Sequence, residues 1–245
     1  MRTGIMGRMA GTPIRARGGQ EEEERKRRAL ERCDLFGELP EALLTESLKK
    51  MSLARVERRG RLGDVEPATL WVLASGRIRV VRRSPDGRDI TLDYYGAGEV
   101  VGEMAWVEEN PPLKFLAVEN VEAVRVPLTV VRELTSNDAA FARRMADLMG
   151  RRRLAAEQRI ERLLTKPVEA RVAHFLLEGS RRYGVPDPRG TLIGVKFTHL
   201  EIASYVGSTR ETVTLILGDF KRAGLILTDH RRIVVTDAEG LETRT

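Results

Sequence analysis

The spacing of hydrophobic positions changes character three times along this chain of 245 residues. Residues 1–20 mix Gly, Arg and Met without a period, and read as a disordered tail or a misplaced start. We extend that tail to residue 28 through the acidic-then-basic run, although acids before bases also suit a helix dipole. A helical pattern reaches Met51, interrupted at Gly37-Glu38-Leu39-Pro40. From about Leu53 to Pro127 short apolar stretches alternate with turn signals. Leu70-Trp71-Val72-Leu73, Ile78 to Val81, Ile90 to Tyr94, Phe115 to Val118 and Val121 to Val126 are expected as strands of an all-β sandwich or barrel. Ser84-Pro85-Asp86-Gly87 is the strongest hairpin signal among them.

From Ser136 to Thr165 Gly150 alone interrupts a helical composition, which predicts one helix about 42 Å long. Two stripes run along it. One passes through Phe141, Met145, Leu148, Arg152 and Ala155, the other through Met149, Arg153, Ala156, Ile160 and Leu163. A seam of this spacing on so long a helix points to pairing with a second copy; packing on its own domain is the alternative. Each stripe contains an arginine. A guanidinium in an apolar seam is costly unless an anion or a carbonyl meets it, such as Glu157 or a ligand, or unless it reaches water at the flank.

The most specific stretch lies further on. Thr198 stands three residues before Glu201, and Ser208 three before Glu211, so two capping boxes are expected ten residues apart. Gly207 lies between them, where a tight turn needs positive φ. Two short helices joined by a glycine turn make a helix-turn-helix. Leu200, Ile202, Ala203 and Val206 are expected on the inner side of the first helix, with Val213, Ile216 and Leu217 on that of the second. Leu225 to Val235 reads as a hairpin, which completes a winged helix with Arg231 and Arg232 near the wing tip. The second helix opens with polar, outward residues. Arginine can grip guanine O6 and N7, glutamate can accept from cytosine N4, and hydroxyls at a helix start can hold phosphate. The expected DNA contacts are therefore Thr198, Ser208, Thr209, Arg210, Glu211, Thr214, Leu215, Arg231 and Arg232.

Charge adds an asymmetry. The net charge is +6. Residues 21–135 are slightly acidic, whereas 136–164 and 165–245 are both net basic, which suits a polyanion partner without demanding one. A single cysteine, Cys33, excludes an internal disulfide framework and an all-cysteine metal site, and reads as a packing residue. Three scattered histidines make no ligand cluster, no phosphate loop or zinc-protease motif appears, and an enzyme is not expected. No apolar run reaches the roughly 20 residues that a membrane span needs, and the start lacks a secretory apolar core. A cytoplasmic protein without a membrane partner is expected.

From about Leu35 to Val235 the chain resembles the cyclic-AMP-receptor and fumarate–nitrate-regulator (Crp/Fnr) superfamily of bacterial transcription factors. Gly207 to Thr214 carries the resemblance most specifically. Ala74 to Val80 and Gly98 to Met104 look like the β-roll of its effector domain. The resemblance implies an α+β fold with a β-roll (a double-stranded β-helix) over 29–135, a dimerisation helix over 136–165 and a winged helix-turn-helix over 166–245. It also implies a homodimer on a palindromic operator, with reading helices about 34 Å apart, and recruitment of RNA polymerase. In the cyclic-AMP branch a third base-reading arginine stands where this chain has Leu215. Cyclic-nucleotide binders hold the phosphate with Arg-Ser or Arg-Thr, and here that pair is Lys114-Phe115. The C-terminal half is nearer the cyanobacterial nitrogen-control branch, which senses 2-oxoglutarate; alignment places its helix arginine at Arg152 and its β-roll arginine at Lys114. The candidate effector residues are thus Gly102, Glu103, Met104, Lys114, Phe115 and Arg152, for 2-oxoglutarate or a cyclic nucleotide. An effector-independent member of the family, or a sensor subunit without DNA binding, are the alternatives.

Overall fold

The computed structural model describes residues 15–63, 69–87, 89–108, 111–229 and 232–245. In chain order the first elements are α1 (Arg15–Glu31), α2 (Glu41–Leu48), β1 (Ser52–Val56), β2 (Arg61–Leu62), β3 (Thr69–Ser75), β4 (Ile78–Arg83), β5 (Asp89–Tyr95), β6 (Val100–Val101), β7 (Leu113–Ala117) and β8 (Val121–Pro127). Then follow α3 (Leu128–Asn137), α4 (Ala139–Thr165), α5 (Val168–Tyr183), β9 (Gly184–Asp187), β10 (Gly190–Ile193), α6 (His199–Val206), α7 (Arg210–Arg222), β11 (Ile226–Asp229), β12 (Arg232–Val235) and α8 (Ala238–Glu242). The chain divides into two compact units that do not follow its order. One holds Met1–Ile78, Tyr95–Pro111 and Ala117–Arg144; the other holds Arg79–Tyr94, Pro112–Leu116 and Met145–Thr245.

In the first unit an antiparallel sheet runs in the order β1-β8-β3-β6. Ala54 faces Ala123 across β1 and β8, and Val72 faces Val124 across β3 and β8. Leu70 to Leu73 are all buried, so β3 is covered on both faces, and its apolar run needs no alternation. Gly102 follows β6 at φ +90°, and a Cβ there would lie 2.4 Å from the Thr69 carbonyl oxygen, so only glycine fits.

The tail expected over 1–28 gives way to helix α1, ordered from Arg15; residues 1–14 lie outside the described residues. The physical reason lies at the far end of α1. Ala29 and Leu30 are buried, and the Lys26 ammonium, itself buried, donates to the carbonyls of Leu48 and Met51 at 3.0 and 3.1 Å. It thereby satisfies the carbonyl that ends α2 and the one directly before β1. Ion pairs Glu21–Arg25 and Glu24–Arg28 run one turn apart on the open side. Cys33 is buried, as a packing residue should be.

The helix expected from 136 to 165 is two helices. Asp138 adopts an extended conformation (φ −133°, ψ 103°) between α3 and α4, and its carboxylate accepts from the Ala140 N–H at 2.9 Å. An aspartate cap thus starts a new helix where composition alone suggested continuity.

In the second unit β7, β4 and β5 lie side by side, with β5 at the edge. The turn between β4 and β5 closes with the Gly87 N–H on the Ser84 carbonyl at 2.9 Å, at the hairpin signal. A second sheet, in the order β11-β12-β10-β9, packs against α5 and α7. The hairpin β9–β10 and the short α8 were not foreseen. The core beneath the two short helices is Ile202, Ala203, Val206, Val213, Leu217 and Phe220, all buried. Leu200, expected on the inner side, is 63% exposed, and Ile216 is half-buried. No described helix is long and apolar enough to cross a membrane.

Candidate nucleic-acid interface

The first capping box forms as expected. The Thr198 hydroxyl accepts from the Glu201 N–H at 3.2 Å, and the Glu201 carboxylate accepts from the Thr198 N–H at 2.8 Å and from its hydroxyl at 2.9 Å. Helix α6 ends at Gly207, in the left-handed region at φ 66°, ψ 53°. There a Cβ would come within 3.0 Å of Leu163. The turn is sealed by the Ser208 N–H donating to the Ala203 carbonyl at 3.0 Å.

That seal displaces the second cap. Ser208 was expected to open α7, but its backbone closes α6, and Thr209 is the N-cap. The Thr209 hydroxyl accepts from the Thr212 N–H at 3.2 Å, and the box of Ser208 with Glu211 does not form. Glu211 is therefore released from capping. Arg210 and Glu211 stand exposed on the first turn of α7, followed by exposed Thr214 and by Leu215, which is 70% exposed. Among the described residues neither the Arg210 nor the Glu211 side chain has a hydrogen-bond or ion-pair partner. The Thr214 hydroxyl donates to the Arg210 carbonyl at 2.8 Å. Its single proton is thus committed, so His199 Nδ1, 2.8 Å away, must be the donor to it. This contact ties the start of α6 to the reading side of α7.

The wing is held by a residue that sequence reasoning missed. Arg189, in the turn between β9 and β10, binds both oxygens of Asp187 at 2.8 and 2.9 Å and the Asp229 carboxylate at 2.8 Å. The guanidinium lowers the Asp187 pKa to about 2. The Asp-Pro-Arg-Gly turn was a visible signal for this hairpin. Arg232 opens β12 opposite Asp229. Arg231 lies outside the described residues.

On α4 the two stripes separate. Phe141 and Met145 are buried and Leu148 and Arg152 half-buried, so the first stripe is covered by the chain itself except at its end, where Ala155 is exposed. On the second, Ile160 and Leu163 are 55% and 37% exposed, and Leu154 and Leu164 add 55% and 81% nearby. Arg153 pairs with Glu157 at 2.8 Å, an exposed contact one turn along.

Of the candidate effector residues, Gly102, Glu103 and Met104 fall in the first unit, and Lys114, Phe115 and Arg152 in the second. Glu103 opens a 3-10 turn that ends at Trp106. Lys114 forms an ion pair with Asp89 at 3.9 Å. Among the described residues no group of three or more His, Cys, Asp or Glu is placed to hold a metal ion.

A capped helix-turn-helix backed by a four-stranded wing, on a chain whose other part is a β-rich domain, defines a DNA-binding regulator. Comparison with known proteins agrees. Residues 170–244 match the Crp-like helix-turn-helix domain family, and residues 61–138 match the cyclic nucleotide-binding domain family. The chain is 28% identical over 207 residues to the CRP-like cAMP-activated global transcriptional regulator of Mycobacterium tuberculosis, covering 83% of this chain and 91% of that protein. It is 30% identical over 169 residues to the global nitrogen regulator of Synechococcus elongatus, covering 68% and 76%. In fold it is similar to FixK2 from Bradyrhizobium japonicum, with a TM-score of 0.71 at 22% identity over 79% of this chain and 96% of that one. The chain belongs to the Crp/Fnr family of transcriptional regulators, and is not an enzyme.

Proposed function

We propose that this regulator binds a palindromic operator as a homodimer, inserts α7 of each copy into successive major grooves, and acts there on RNA polymerase. The observation that carries this reading is the first turn of α7, where the Arg210 and Glu211 side chains are exposed and have no partner among the described residues, while the inner side of the helix is capped and buried. Such a guanidinium selects guanine, and the carboxylate selects cytosine. Leu215 can contact only a thymine methyl group. The exposed apolar residues along the C-terminal half of α4 supply the surface for a second copy. A role on the chromosome places the protein in the cytoplasm. Gel shifts on palindromic duplexes test it: affinity falls steeply with salt, because phosphate neutralisation releases counterions. Equal binding to every duplex at every salt concentration would overturn it.

An anionic effector at the β-rich domain is the favoured control. Gly102 and Glu103 suit the sugar of a cyclic nucleotide, yet Lys114-Phe115 offers no hydroxyl to its phosphate. Lys114 and Arg152 suit the two carboxylates of 2-oxoglutarate, and the relatives include both a cAMP-activated regulator and a global nitrogen regulator. The ion pair of Lys114 with Asp89 favours a second reading, an effector-independent member, since that lysine is already compensated. Calorimetry with 2-oxoglutarate and with cyclic AMP separates the two. Binding of either supports control; silence with both, at nanomolar operator affinity, supports the constitutive reading.

A further inference from the structure

The side of α6 that carries Glu201, Ser204 and Tyr205 is occupied. Arg159 of α4 donates to three backbone carbonyls: to Leu92 by a short contact, to Thr91 at 2.8 Å and to Tyr205 at 2.7 Å. Its guanidinium carbon also lies 4.1 Å from the centroid of the Tyr205 ring. Tyr205 is the last but one residue of α6, so its carbonyl has no partner within that helix, and the cation sits at the negative end of the helix dipole. Thr91 and Leu92 belong to β5, the edge of its sheet among the described strands, where carbonyls on the open side have no strand to receive them. One planar guanidinium therefore satisfies acceptors of two elements at once and anchors both to α4.

Ser204 completes the joint from the other side. Its hydroxyl accepts from the Thr91 N–H at 2.9 Å and donates to the Asp89 carbonyl at 3.0 Å. It thus presents to β5 the donor and acceptor that a neighbouring strand would. Its only proton is spent on Asp89, so the Thr91 hydroxyl, 3.0 Å away, donates to it. Arg79 of β4 stands 3.9 Å from Glu201, the carboxylate that caps α6. Behind these polar contacts lie four packed rings. Tyr94 of β5 meets Phe197 at 5.0 Å between centroids, Phe197 meets Phe175 of α5 at 4.9 Å, and Phe175 meets Tyr205 at 5.1 Å. Tyr94 is 2% exposed, so the hairpin is set into the helix-turn-helix rather than lying loosely beside it.

From this geometry we propose that Arg159 is a positioning residue for operator recognition: it joins the β4–β5 hairpin, α4 and α6 into one body and thereby sets the direction in which α7 points. The proposal rests on the dimeric DNA-binding reading above. The joint leaves Arg210, Glu211, Thr214 and Leu215 uncovered, so a single reading head needs nothing from Arg159. Two heads on a palindrome must hold a spacing and an angle, and for that a fixed joint is required.

The experiment compares Arg159→Gln with the wild type on a full palindrome and on a single half-site. Loss of a charged hydrogen-bond set predicts about a tenfold or greater loss of affinity for the palindrome, with half-site affinity unchanged. A helix-turn-helix that had merely lost its fold would lose both. Hydrogen exchange of the free protein supplies a readout independent of DNA: segments 89–95 and 199–206 exchange about tenfold faster or more in the variant. A Thr91→Cys, Ser204→Cys pair placed in the Arg159→Gln chain restores palindrome affinity on oxidation; buried Cys33 stays out of the exchange. Unchanged hydrogen exchange, an unchanged or raised palindrome affinity, an equal loss on the half-site, or an oxidised lock that restores nothing would each overturn the proposal. A wild-type chain that shows no preference for the palindrome over the half-site would instead remove the dimeric reading, while hydrogen exchange would still judge the joint.

Discussion

The outer faces of α6 and α7 have the same texture in sequence, a few polar residues on a short helix, and opposite fates in the fold. On α7 the Arg210 and Glu211 side chains project with no partner among the described residues. On α6 Glu201, Ser204 and Tyr205 are held by the β4–β5 hairpin and by Arg159 of α4. The contrast teaches that polarity marks a face as able to make directed contacts and says nothing of who makes them. What decides is the presence of unsatisfied backbone elsewhere in the chain. Edge strand β5 and the C-terminal end of α6 carry such groups, and polar side chains were recruited to meet them. At the reading end of α7 the Thr209 hydroxyl meets the Thr212 amide, and the Arg210 and Glu211 side chains are left out of the cap.

The comparison breaks most sharply where both faces share a foundation. Phe220, on the inner side of α7, is 1% exposed. Phe220→Ala is expected to cost about 3–5 kcal/mol and to remove DNA binding with it, read as an unfolding midpoint alongside gel shifts. Arg210→Ala addresses the open face alone. It should weaken specific binding by about 1–3 kcal/mol, leave the unfolding midpoint in place, and relax preference at one base pair. Unchanged operator preference in a selection from randomised half-sites would remove Arg210 from the reading role. Thr198→Ala loosens the start of α6 by about 1 kcal/mol through loss of its cap. Thermal unfolding should register this, while the hairpin contacts at Ser204 persist.

The smallest effect is one of pH. Burial lowers the His174 pKa from its ordinary value, with Arg162 adding to the effect and Glu178 opposing it. The folded state therefore prefers the neutral ring, and the unfolded chain binds the proton first as pH falls through the ordinary histidine range. Stability contributed by neutral His174 is present above that range and is lost below it. Unfolding measured between pH 7 and pH 5 should show a decline that His174→Gln flattens. An equal decline in both chains would assign it to other groups.

Much of this arrangement is legible in the amino-acid order. Thr198 with Glu201 fixed the first cap, Gly207 the turn and Ser84 to Gly87 the hairpin, because each rests on contacts within a few residues. The boundary at Asp138 was readable too, since aspartate is a ready helix cap, yet the run of helical composition around it masked the signal. The shift from Ser208 to Thr209 was harder. Both are good caps, and the choice fell to the Ser208 amide, which the closure of α6 had claimed. Leu200 appeared to belong inside by its apolar nature, but its place on the helix turns it outward.

Arg159 shows where such reading stops. The rule that an arginine on an apolar stripe must find an anion or a carbonyl was available, and Arg159 stands seven residues beyond Arg152 on the same face of α4. The identity of its partners was not available. They come from residues 46 to 68 positions away, and only folding brings those carbonyls to one point. By itself the amino-acid order determined the elements, their caps and the chemistry of the reading helix, since these depend on neighbours along the chain. Which polar face met the outside and which was spent on the chain's own unpaired backbone was settled in three dimensions, because the acceptors in question exist only once a strand has an edge and a helix an end.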